Sequence, residues 1–141
     1  MYKYGYFSDD KHKYSIEMMI VYINETNPTK IKLNVKDLLF NLYWNSLEND
    51  VKPIDIIKHL KNYKYETERI ERADMKYPII IDSNYNIIDG VHRYIKHILE
   101  HKRKINVYIF DKALMKRFII NIILHLFHLK RQFYIIKKYY K

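Results

Sequence analysis

Between Tyr77 and Arg93 the chain reads YPIIIDSNYNIIDGVHR, and this stretch constrains the fold most because it dictates three successive backbone states. Pro78 to Ile81 is a short apolar run, Asp82-Ser83-Asn84 carries turn chemistry, and Asn86 to Ile88 is apolar again before Asp89-Gly90 breaks the strand. The pattern predicts a β-hairpin leading straight into a helix that opens with His92 and Arg93. The chain has two glycines, and the other, Gly5, lies in the N-terminal stretch, so Gly90 answers a need for a tight turn or for a closely approaching ligand. A helix starting there points its unpaired N–H groups and positive dipole end at whatever lies above Gly90, which suits a phosphate. The same residues admit a plainer reading. Asp-Gly is a common turn dipeptide, Asp89 can cap the helix, and His92 and Arg93 can be solvated first-turn residues.

The run Ile87-Ile88-Asp89-Gly90-Val91-His92-Arg93 resembles the signature of the ParB/sulfiredoxin superfamily, an apolar strand leading to a Gly-centred turn and a helix that begins His-Arg or Arg-Arg. Free serine kinases carry D-G-H-[HT]-R at this place, sulfiredoxins G-G-C-H-R, and the CTP-binding domains of ParB G-E-R-R. The likeness spans roughly Lys30 to Phe110, with the hairpin and helix as its specific part. It implies an α/β (α+β) fold, a small mixed sheet with packed helices, and a nucleotide (ATP, ADP or CTP with Mg2+) whose phosphates rest on the helix N-terminus. On that reading Gly90 lets the phosphate approach, the amides of Val91 and His92 donate to it, and Arg93 clamps it with a bidentate guanidinium. His92 donates a hydrogen bond or stabilises developing charge, and Asp89 holds Mg2+ or caps the helix, which makes these two the candidate catalytic residues. The implied activity is phosphoryl transfer or nucleotide hydrolysis, but no base is identifiable, so enzymatic status stays open. The chain departs from the pattern at Val91, where sulfiredoxin has its reactive Cys and ParB its Glu, and at Lys96, near where many members carry a small Ala. With no Cys in the chain, sulfiredoxin chemistry is excluded.

At 141 residues and 48% hydrophobic content the chain can bury one core, and its length favours one compact domain. The expected layout is an N-terminal helix and lead-in over 1–29, the α/β domain over 30–111, and a basic helical extension over 112–141. The absence of Cys removes disulfides and thiolate metal sites, and the N-terminal stretch lacks the apolar core of a secretory signal, so an intracellular setting is expected. The formal charge of +10 is uneven: from Lys112 onward there are eight Lys/Arg and no acid, leaving 18 basic against 16 acidic side chains before that point. A polyanion-binding role would therefore belong to the tail, whose interleaved tyrosines can stack on bases. That makes a non-catalytic nucleic-acid binder the rival reading. Fifteen Tyr, many Ile, Lys and Asn and few Gly are also what an AT-rich coding sequence produces irrespective of function.

Elsewhere, Ile16, Met19, Ile20 and Ile23 predict a helix over Tyr14 to Ile23, and Ile31, Leu33 and Val35 alternate as a half-buried strand, followed by a short apolar turn or helix to Leu42. Trp44 is expected to anchor a loop on the core, with base stacking as the alternative. Pro53 opens a predicted helix to Asn62 with Ile54, Ile57 and Leu60 inward. The charged run Tyr63 to Met75 reads as a solvated connection, with recruitment of Glu68 or Glu71 as base or metal ligand the functional alternative. After Gly90, the stripe Val91, Tyr94, Ile95, Ile98 and Leu99 faces the sheet, and His92, Lys96 and His97 face outward. Lys104 to Phe110 is the next strand, favouring parallel pairing. The apolar twelve residues Phe118 to Leu129 are too short to span a bilayer and suit a core or homodimer helix, with His125 and His128 as packing side chains rather than metal ligands.

Overall fold

The computed structural model describes residues 5–44, 47 and 50–120. The alternation predicted around Tyr77 to Phe110 produces a mixed four-stranded sheet. Strands β3 (Ile31–Asn34), β4 (Ile79–Asp82), β5 (Ile87–Asp89) and β6 (Lys104–Phe110) lie in the order β3-β6-β4-β5. β4 and β5 form the expected antiparallel hairpin, and β6 runs parallel to β4 and antiparallel to β3. The predicted parallel pairing is therefore present, but the crossover from β5 passes over β4, so that β6 pairs with the first arm of the hairpin.

Asp82 closes the hairpin turn: its Oδ1 accepts from the amides of Asn84 and Asn86, and its Oδ2 from the Asn86 side chain. Tyr85 takes the left-handed backbone such a turn needs, at φ 66°. Buried Asn41 stitches the outside of this turn to the preceding segment. Its amide donates to the carbonyls of Leu38 and Tyr85, while its oxygen accepts from the Ile87 amide.

Because successive strand residues point to opposite faces, the sheet feeds two cores. Ile79, Ile81, Ile87, Ile105 and Val107 face one side, where they meet Val35, Leu38, Leu42 and Tyr94. Ile80, Ile88, Tyr108 and Phe110 face the other, where they meet Tyr14, Ile16, Met19, Met115 and Phe118. The second side is built from a small antiparallel hairpin, β1 (Tyr6–Ser8) with β2 (Lys13–Ser15), from helix α1 (Ile16–Thr26), and from α5 (Lys112–Met115) with the 3-10 turn after it. The stretch read as a lead-in thus supplies one of the two layers over the sheet. Tyr14 belongs to β2 and not to the helix, which begins at Ile16 behind the cap Ser15, whose hydroxyl accepts from the Met18 amide. The helix ends where Asn27 turns left-handed ahead of Pro28.

On the first side lie a nine-residue 3-10 segment, Val35–Tyr43, and helices α2 (Pro53–Lys58), α3 (Lys64–Arg72) and α4 (Val91–Leu99). α2 is shorter than predicted and breaks at His59 into a 3-10 turn, and its most buried apolar side chain is Ile56. Trp44 does not anchor the core: it is 59% exposed. The largest departure is the charged run, which folds as α3 and packs on α4, with Ile70 completing a small cluster with Ile56 and Ile95. Among the described residues no helix is long and apolar enough to cross a membrane. His125, His128 and the basic tail after Ile120 lie outside the described residues.

Candidate functional site

Gly90 takes φ 103°, a left-handed conformation that side chains rarely adopt, and this swings the chain from β5 into α4. The glycine also leaves no room for a Cβ. One built there would lie 2.6 Å from Cγ2 of Ile79 and 2.8 Å from Nη2 of Arg93. The need answered here is a turn closely packed by the chain's own side chains.

With glycine as the N-cap, no side chain caps α4, and its first intrahelical bond runs from the Tyr94 amide to the Gly90 carbonyl. Among the described residues no hydrogen bond takes the amides of Val91, His92 or Arg93. They form the unpaired donor end of a nine-residue helix. Asp89 does not cap it. Its Oδ2 instead accepts from Nη2 of Arg93 at 3.2 Å, an i,i+4 ion pair, while the same nitrogen reaches the Pro78 carbonyl at 3.4 Å.

Arg93 is thereby held over Gly90 and tied to the ends of both hairpin strands. Among the described residues its buried Nε has no partner and no bond occupies Nη1, while its side chain remains 22% exposed. Arg93 therefore has an internal acidic partner, but that partner is Asp89 and not Glu68 or Glu71.

His92 is the residue the structure relocates most. Its side chain is only 16% exposed because α3 covers it, and Nε2 meets Oε2 of Glu66, itself 11% exposed. A carboxylate only accepts, so the imidazole N–H donates, and Nδ1 is engaged by no hydrogen bond among the described residues. His97 and Lys96 were expected on a solvent face with His92. Instead His97 is buried, with Nδ1 donating to the Arg93 carbonyl at 2.7 Å, and Lys96 reaches the end of α3. For His92 and Lys96 the physical reason is the same: their face of α4 is occupied by α3, whereas His97 turns back along its own helix.

Glu66 is the functional candidate that reading the charged run as solvated misses, and the signal for it is a helical one. With Ile70 as the inward apolar residue of α3, the acid one turn earlier on the same face is Glu66, whereas Glu68 falls on the opposite face and Glu71 to the side. No protein-family model, curated protein or solved structure matches the chain. Its geometry stands on its own.

What this geometry can do follows from the groups present. Three amides with no hydrogen-bond partner among the described residues stand at the start of α4, and the Arg93 guanidinium and His92 imidazole belong to its first turn, a set suited to an anion. The imidazole is backed by a carboxylate, an arrangement that fixes ring orientation and can support proton transfer. Among the described residues no group of three or more His, Asp or Glu side chains is placed to hold a metal ion. A cation at Asp89 would thus depend on a ligand's own oxygens.

Proposed function

We propose that the chain binds a nucleotide (ATP, ADP or CTP) through its phosphates at the N-terminus of α4, as its resemblance to the ParB/sulfiredoxin superfamily implies. The observation that carries the reading is the uncapped start of α4, where the amides of Val91, His92 and Arg93 have no partner among the described residues and the Arg93 side chain stands beside them. Mg2+ brought in with the nucleotide would neutralise phosphate charge, and Asp89 would be its protein ligand. The Glu66–His92 pair extends the reading from binding to phosphoryl transfer or hydrolysis. His92, its ring oriented by Glu66, takes or returns a proton at Nδ1, and Arg93 steadies the charge that grows on the phosphate oxygens.

The test is a thermal-shift titration of the full chain with ATP, ADP and CTP, with and without Mg2+, alongside salt-dependent binding of a random oligonucleotide. A concentration-dependent rise in melting temperature that Arg93→Ala moves to higher nucleotide concentration supports the site. No shift with any nucleotide overturns it. If oligonucleotide binding then weakens steeply with salt, and weakens again when Lys130, Arg131, Lys137 and Lys138 are neutralised, the nucleic-acid reading of the tail takes its place.

A further inference from the structure

Helix α3 is poorly equipped to hold its own position. Its N-cap Tyr63 contributes no side-chain hydrogen bond, and Ile70 is its single buried apolar side chain. Three ties fix it from outside. Thr67 Oγ1 donates back to the Leu60 carbonyl, Glu66 meets His92, and Lys96 Nζ donates to the carbonyls of Glu71 and Ala73 at 2.8 and 2.9 Å. The last contact places an ammonium at the negative end of α3, on carbonyls that the helix cannot satisfy itself.

His92 and Lys96 are one turn apart on the same face of α4, so they grip opposite ends of α3 with the Ile70–Ile95 contact near them. Moving the C-terminal end of α3 moves Glu66, because a short helix shifts as a rigid unit.

We infer that Lys96 is a positioning residue for the α4 site: by anchoring the C-terminal carbonyls of α3 it determines where Glu66 meets the imidazole of His92. The inference rests on the proposed nucleotide site for its functional consequence and on the hydrogen bonds alone for its structural one. The two parts are separable by experiment.

The experiment compares the full-length protein with Lys96→Met, which keeps the stem and loses the donors, and Lys96→Arg, which restores charge and donors. The first readout is the NMR resonance of the His92 Nε2 proton, protected from water exchange by Glu66; the second is the affinity for ATP with Mg2+. Lys96→Met should broaden or remove the protected proton and weaken ATP by about fivefold, the value of roughly one hydrogen bond, while Lys96→Arg should keep both. If Lys96→Met does not fold, Lys96→Gln, too short to span both carbonyls, is read in the same way. A protected proton that persists unchanged in the folded variant overturns the inference, even where the melting temperature drops, because a merely structural tie would leave His92 untouched. Should ATP bind neither parent nor variants, the nucleotide reading fails, and the imidazole proton still decides whether Lys96 seats Glu66.

Discussion

Glu66 on α3 and His92 on α4, 26 residues apart in the chain, meet through a hydrogen bond between Oε2 and Nε2, with both side chains largely shielded from water. Removing one partner of such a hydrogen bond strands the other, and bonds to a charged group contribute about 1.5–3 kcal/mol. Glu66→Ala and His92→Ala should each lose on that order in urea unfolding. The double variant should lose clearly less than the two losses added, since the interaction can be removed only once. Strict additivity would show that the two side chains do not interact in solution.

Gly90→Ala tests why the glycine is there. The left-handed backbone costs a non-glycine residue about 1–2 kcal/mol, and a Cβ driven into Ile79 and the Arg93 guanidinium adds about 1–3 kcal/mol. A total near 3 kcal/mol should appear in chemical denaturation without any ligand present. A variant as stable as the parent would mean that only ligand approach required glycine at this position.

Arg93 serves the fold and the proposed site together, so its variants should separate the two. Arg93→Ala leaves Asp89 unpaired and should lower stability by about 1 kcal/mol, a discounted figure for a part-exposed pair. It should also weaken nucleotide on the order of tenfold to a hundredfold, from one charge-assisted hydrogen bond or more. Arg93→Lys should recover much of the stability and little of the affinity, because an ammonium lacks the paired donors. Calorimetric titration and thermal melting of the same two variants give both quantities, and a stability loss with affinity intact would remove Arg93 from the site.

The pH dependence at the alkaline end is set by buried tyrosines on both sides of the sheet. Burial, reinforced by the Asp9 carboxylate that accepts from its hydroxyl, pushes Tyr14 up to about 12, and burial raises the Tyr94 hydroxyl as well. Tyrosine in the unfolded chain ionises near 10, so above that pH the unfolded chain releases protons that the native state retains. Stability from these groups is therefore complete below about 10 and is lost as pH rises toward about 12. Urea midpoints measured across this interval should fall, and Tyr14→Phe should flatten the slope in part, leaving the contribution of Tyr94. An unchanged slope in Tyr14→Phe would show that Tyr14 titrates normally in the native protein.

By itself the sequence determined the elements whose signals are local. The apolar runs either side of Asp82 make the hairpin, because Asp82 can bind three nitrogens of its own turn. Gly90 marks the entry to α4, because only a residue without Cβ tolerates that backbone and that packing. The mixed α/β class follows from the same alternation. Tertiary structure alone decided what lies on the polar side of α4. Charge density in Tyr63 to Met75 is the ordinary mark of a solvated link, and local pattern could not show that Ile70 would dock on Ile95 and bring Glu66 and the α3 carbonyls with it. Hydrogen bonds between residues distant in the chain leave no periodic trace in either segment. His92 and Lys96 therefore read as outward-facing until a second helix is placed against them.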